Sequence, residues 1–70
     1  MNRKKLRKFI KESGERYFDI AKKGGIMPIL FILKLYGIGE FRLWEIKNII
    51  NALNLDSEGA KDIFFASKVS

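Results

Sequence analysis

The side chains of this chain that could act as paired acid–base groups or metal ligands are of one kind. They are carboxylates, among them Asp19, Glu40, Glu45, Asp56, Glu58 and Asp62, and the chain contains neither histidine nor cysteine. Without histidine there is no imidazole to shuttle protons near neutral pH and no ordinary zinc ligand set. Without cysteine, disulfides and thiolate metal sites are excluded. The carboxylates fall into no metal-ligand spacing and no paired arrangement, and no glycine-rich loop is present to cradle a phosphate. Charge on helix surfaces accounts for them better. No catalytic residue, metal site or cofactor is expected, and an enzyme is not the expectation. The chemistry left to the chain is binding.

Fourteen lysines and arginines against eight acidic residues give a net charge of +6 and a pI near 9.8. This balance fits either a nucleic acid or another anionic surface as partner, or simply a soluble surface. Hydrophobic residues make up 47% and charged residues 31%, a globular composition rather than a disordered one. Seventy residues allow one small domain, which buries only about 60% of its unfolded surface and so needs an economical core or a partner. The basic start from Arg3 to Lys8 is followed by Phe9-Ile10-Lys11-Glu12-Ser13, which is no secretory apolar region. The uninterrupted apolar run Ile26 to Leu33 is far short of the roughly 20 residues that span a bilayer. A soluble cytoplasmic protein without a membrane partner is expected.

The elements that must position a binding surface are helical. Leu6, Phe9 and Ile10 recur at helical spacing within Met1 to Ser13, with basic residues on the other faces and Gly14 as the stop. That basic face is read either as solvated or as a binding surface. Arg16 to Lys23 forms a second helix with Ile20 and Ala21 inward, broken by Gly24-Gly25, of which at least one takes positive φ. Pro28 to Tyr36 forms a third, with proline at its first position and Gly37 beyond its end. Phe41 plugs the following loop. Leu43 to Leu53 forms a fourth helix with an apolar stripe of Leu43, Ile46, Ile49 or Ile50, and Leu53, ended by Asn54. Asp56 or Ser57 caps a last short helix reaching Ile63 or Phe64, and the adjacent Phe64 and Phe65 are expected to dock the tail on the core. The class is all-α, a compact bundle of four or five short helices in a single domain over residues 1–70.

The spacing around the second and third helices resembles a helix-turn-helix of the lambda-repressor-like, Cro-like kind. Ala21 stands where the two helices cross, with Ile20 packed just before it. Gly25 stands in the turn, Ile26 follows at once, and Phe31 comes five residues later. Lys34-Leu35-Tyr36-Gly37 followed by Glu40-Phe41-Arg42-Leu43-Trp44-Glu45-Ile46 resembles the Lys-Leu-Asn-Gly … Glu-Phe-Thr-Leu-x-Glu-Ile run of phage Cro/CI-type proteins. Ile63-Phe64-Phe65-Ala66-Ser67-Lys68-Val69 is similar to the Tyr-Phe-Phe-x-x-x-Val tail of small Cro-like phage regulators. The resemblance covers nearly the whole chain without a gap.

The departures from that pattern carry the functional reading. Tyr17 replaces the glutamine that opens the motif. Met27, Pro28 and Ile29 occupy the first turn of the would-be recognition helix, and Ile32, Leu33 and Tyr36 occupy its outward positions. Base edges are read by hydrogen bonds, with apolar contact limited mainly to thymine methyls, so this set is nearly mute towards DNA. Ile26, Phe31 and Leu35, with Leu30 at the margin, are expected to face inward. Lys34 and Arg42 are the candidates for phosphate contacts, which position a protein without reading sequence. Gly24 stands where the family has leucine, and Arg42 stands where a serine or threonine caps the fourth helix, which leaves Glu45 with half a capping box.

An outward face made of Met27, Pro28, Ile29, Ile32, Leu33 and Tyr36 is chemistry for meeting protein. The resemblance then implies a phage antirepressor, similar to the modulator-of-repression proteins of temperate phages. Such a protein binds a CI-type repressor, blocks its operator contacts and favours the lytic state, with operator DNA in a joint complex as a further partner. An ordinary Cro-like DNA-binding repressor is the alternative, supported by the charge and the basic first helix. A membrane-active cationic peptide is a third reading. Two blander accounts of the apolar helix are burial on all sides and self-association.

Overall fold

The chain opens with helix α1, Arg3–Ser13, capped by Asn2, whose side chain accepts the Lys5 N–H at 2.9 Å. The computed structural model describes residues 1–65. Over these residues it holds five helices and no strand: after α1 come α2 (Tyr17–Lys23), α3 (Pro28–Leu35), α4 (Leu43–Leu53) and α5 (Ser57–Phe64). The radius of gyration is 11.2 Å, against about 11 Å for a compact chain of this length, so the helices are folded together rather than strung out. The expected boundaries hold to within two residues, with Asn2 and Arg16 acting as the caps of α1 and α2 rather than as helical residues.

The α2–α3 turn follows from its glycines. Gly24 closes α2 in a right-handed conformation, and Gly25 then takes φ +70°, a left-handed value that side chains resist. This reversal lets Gly25 N–H donate to Lys22 C=O at 3.2 Å and Ile26 N–H donate to Ala21 C=O at 2.9 Å, which satisfies the last carbonyls of α2. Gly24 is itself buried, and Asn48 of α4 donates to its carbonyl at 2.9 Å, which ties the turn to α4. The end of α3 repeats the same device. Gly37 lies at φ +91°, and Gly37 and Ile38 donate to Lys34 and Leu33 C=O at 3.1 and 2.9 Å. Pro28 occupies the first position of α3, where its missing N–H costs nothing.

α2 is the hub: it packs on both α3 and α4, while α1 packs on α3 and α5. Leu6, Ile10, Ile20, Ala21, Ile26, Phe31, Leu35, Phe41, Ile49, Leu53, Ile63 and Phe64 form the core. Phe31 lies at its centre. The Phe41 ring meets it edge-on at 5.9 Å between centroids and the Tyr17 ring does so at 6.3 Å, the arrangement aromatic quadrupoles favour. The loop plug expected of Phe41 is therefore what the loop provides.

One core expectation fails. Leu43 is 62% exposed, because the inward line of α4 runs through Glu45, Ile49 and Leu53, and Leu43 in the first turn stands off it. Phe64 is buried and Phe65 exposed, so only the first of the adjacent aromatics joins the core. The remainder of the expected tail docking, over 66–70, lies outside the described residues.

Candidate functional site

α3 divides as its spacing requires. Phe31 and Leu35 point into the core, and Ile29, Ile32, Leu33 and Tyr36, at i, i+3, i+4 and i+7, form an exposed stripe on the opposite side. With Met27 just before the helix, the side chains at 63% (Met27), 64% (Ile29) and 59% (Tyr36) relative exposure are open to solvent, and Pro28 is half-buried beside them. Leu30 is exposed rather than marginal, which widens the stripe. The helix is thus not buried on all sides. Ile38, beyond the end of α3, and Leu43 and Trp44, at the start of α4, are further exposed apolar residues, and of these Leu43 was expected on the inward stripe of α4.

The stripe is held in place by polar contacts beneath and around it. Lys34 does not reach outward to a phosphate. Its ammonium lies 2.8 and 2.9 Å from the two Glu45 carboxylate oxygens, with the side chains only 15% and 6% exposed. The same carboxylate accepts the Arg42 N–H at 2.8 Å. Burial pushes the Glu45 carboxyl up, but the Lys34 ammonium, the Arg42 N–H and the charges of both residues outweigh it and hold it below the ordinary glutamate value. Arg42 has no side-chain acceptor to offer in return, so only the glutamate half of the capping box forms. Its side chain is exposed and makes no ion pair among the described residues, so Arg42 keeps a free charge at the surface.

Two further clamps come from α1 and were not legible in the sequence. Arg3 Nε donates to Lys34 C=O at 2.9 Å and Arg7 donates to Leu35 C=O at 2.6 Å, so both guanidinium groups sit at the negative end of α3. The Arg7 guanidinium also lies 4.5 Å above the Tyr36 ring, a cation–π contact that fixes one end of the apolar stripe. Beside it, burial and the neighbouring Tyr36 push the Tyr17 phenol up, with Arg7 opposing. Tyr17 meets the Phe31 ring edge-on and is only partly exposed.

Among the described residues, no helix is long and apolar enough to cross a membrane, and no group of three or more metal-ligating side chains gathers. Compared with family models, curated proteins and solved structures, the chain matches none.

Proposed function

We propose that the protein is a regulator built on a helix-turn-helix scaffold, with α2 and α3 as the motif, and that it docks on another protein through the apolar outer face of α3. The observation that carries this reading is the exposed stripe Ile29–Ile32–Leu33–Tyr36, continued by Met27 and Pro28. Several such side chains together reach roughly the few hundred Å² at which an exposed apolar surface marks an interaction site. The stripe offers Tyr36 as its one side-chain donor, so it is poorly suited to reading base edges.

The partner that fits the resemblance is a CI-type phage repressor, with the protein acting as an antirepressor in the bacterial cytoplasm in the manner of modulator-of-repression proteins. The complex would leave Arg42 free to meet operator phosphates. Calorimetric titration against the repressor encoded beside this gene tests the reading. Binding by the wild type, and its loss when Ile29, Ile32 and Leu33 are replaced together by serine in a chain that keeps its helical content, is the expected result. Undiminished binding by the triple variant would show that the wrong face has been chosen. The net charge of +6 favours one alternative, a Cro-like repressor that binds operator DNA directly. A gel shift in which the pure protein binds one DNA sequence tightly at physiological salt would establish that alternative and overturn the proposal.

A further inference from the structure

The cations of α1 divide into two groups. Arg3 and Arg7 turn to carbonyls at the end of α3, and Lys5 pairs with Asp62 of α5. Lys4, Lys8 and Lys11 remain. All are exposed, and among the described residues none meets a carboxylate. Their spacing, i, i+4 and i+7, puts them on one side of the helix, so three like charges line a ridge about 10 Å long. A shallow depression bounded by Asn2, Lys4, Lys5 and Lys8 opens beside it.

The ridge is an arrangement that folding does not favour. Like charges three and four residues apart repel along a helix. The first turn of α1 carries no acidic residue, so Lys4 faces the positive end of the helix dipole, while Lys11 lies in the last turn, where the dipole favours a cation.

We infer that the Lys4–Lys8–Lys11 ridge is a sequence-independent contact for the phosphate backbone of a nucleic acid, separate from the apolar face of α3. The arginines of α1, whose forked donors match carboxylate and phosphate alike, are already engaged, and the free cations are lysines, which bind phosphate as point charges. An acidic protein fits less well, because lysine is depleted at the centre of protein interfaces and the ridge has no apolar centre. A membrane surface fits less well still. The apolar side of α1, Leu6 and Ile10, is fully buried in the core and leaves nothing to insert. The ridge extends about 10 Å, against one phosphate per strand for about every 3.4 Å of duplex axis.

The inference does not depend on what α3 binds. Its test measures binding of the full chain to a duplex of arbitrary sequence across a salt series. Three proteins are compared: the wild type, Lys4→Gln/Lys8→Gln/Lys11→Gln, and a control of equal charge change, Lys22→Gln/Lys47→Gln/Lys61→Gln. All the replaced side chains are exposed, and helical content by circular dichroism checks each fold. Wild-type binding should weaken with salt, and the ridge variant should lower the slope of log K against log salt by about 0.9 for each lysine that holds a phosphate. The control should keep the wild-type slope. An Ile29→Ser/Leu33→Ser variant should also keep it, which separates this result from any failure of the α3 reading. Equal losses in both lysine triples, no measurable wild-type binding at low salt, or tighter ridge-dependent binding to phosphatidylglycerol vesicles than to the duplex would each overturn the inference.

Discussion

Lys34 of α3 and Glu45 of α4 meet through both carboxylate oxygens, at 2.8 and 2.9 Å, beneath the exposed apolar face. This pair does for α3 what the core does from the other side: it fixes the rotation of the helix and therefore which residues face out. Removing one partner of a buried pair leaves an uncompensated charge, at a cost of about 3–5 kcal/mol. That is a large share of the stability of a small domain. Lys34→Ala is therefore expected to lower stability by about that amount in urea melts. The double replacement Lys34→Met/Glu45→Gln should recover most of the loss. It removes both charges, and glutamine still offers an oxygen to the Arg42 N–H.

The same carboxylate predicts how stability responds to acid. In the folded chain Glu45 is held below its ordinary value, so on acidification the unfolded chain takes up this proton first. The stabilisation is fully present above about pH 4.3, the ordinary glutamate range, and is lost as pH falls through the lower folded value. Urea midpoints measured between pH 7 and pH 3 should fall at the acid end in the wild type. The fall should be smaller in Lys34→Met/Glu45→Gln, which has no carboxyl to titrate there. An identical acid response in the two proteins would assign the sensitivity to other carboxylates.

Helix limits and the Phe41 plug were legible in the sequence from local periodicity and from turn residues acting within a few positions, such as Gly25 and Gly37. The division of the apolar run into inward Ile26, Phe31 and Leu35 and outward Met27, Ile29, Ile32, Leu33 and Tyr36 came instead from the resemblance to a helix-turn-helix, since every one of these residues is apolar or aromatic. What was not legible depends on distant partners. Arg7 reaches Leu35 across 28 residues and Arg3 reaches Lys34 across 31, and no local pattern announces either contact. Lys34 was a candidate for phosphate contacts, yet an acidic residue eleven positions on draws it inward. Leu43 was placed on the inward stripe of α4 by its helical spacing with Ile46, Ile50 and Leu53. The register of α4, set by Glu45 facing in, turned it out.

Arg7 joins two functions in one side chain, a cap on the α3 C-terminus and a platform contact with Tyr36. A hydrogen bond from a charged donor contributes about 1.5–3 kcal/mol. Arg7→Ala should cost at the lower end of that range, because the site is only partly buried and water can replace the donor. Arg7→Lys should restore only part of it, since an ammonium cannot both reach the carbonyl and stack its plane on the ring. The accompanying signature is optical. With the arginine charge gone, the phenol of Tyr17, which Arg7 holds down, should titrate at higher pH in an ultraviolet titration.

The turn between α2 and α3 makes a separate prediction. Gly25 has open space where a Cβ would point, so nothing but its φ of +70° requires glycine there. Gly25→Ala is expected to destabilise the chain by about 1–2 kcal/mol, the cost of a left-handed residue with a Cβ. Gly25→Asn should cost less, because asparagine tolerates that region. A comparison of the two variants by denaturant melts would separate backbone strain from steric exclusion, which would penalise asparagine more than alanine.

Neighbouring positions on α3 should behave in opposite ways. Phe31 is fully buried between Tyr17 and Phe41, so Phe31→Ala is expected to cost about 3–5 kcal/mol through lost transfer energy and the cavity it leaves. Ile29, two residues earlier, is 64% exposed, and Ile29→Ser should change stability by no more than about 0.5 kcal/mol. The serine variant should also lower retention on a hydrophobic column, since it removes apolar surface that faces water. If Ile29→Ser instead destabilised the chain as strongly as Phe31→Ala, that side chain would be packed within the monomer. The outer face of α3 would then lose its most exposed apolar side chain. Near-neutral stability together with lost partner binding is the combination that separates a docking residue from a core residue.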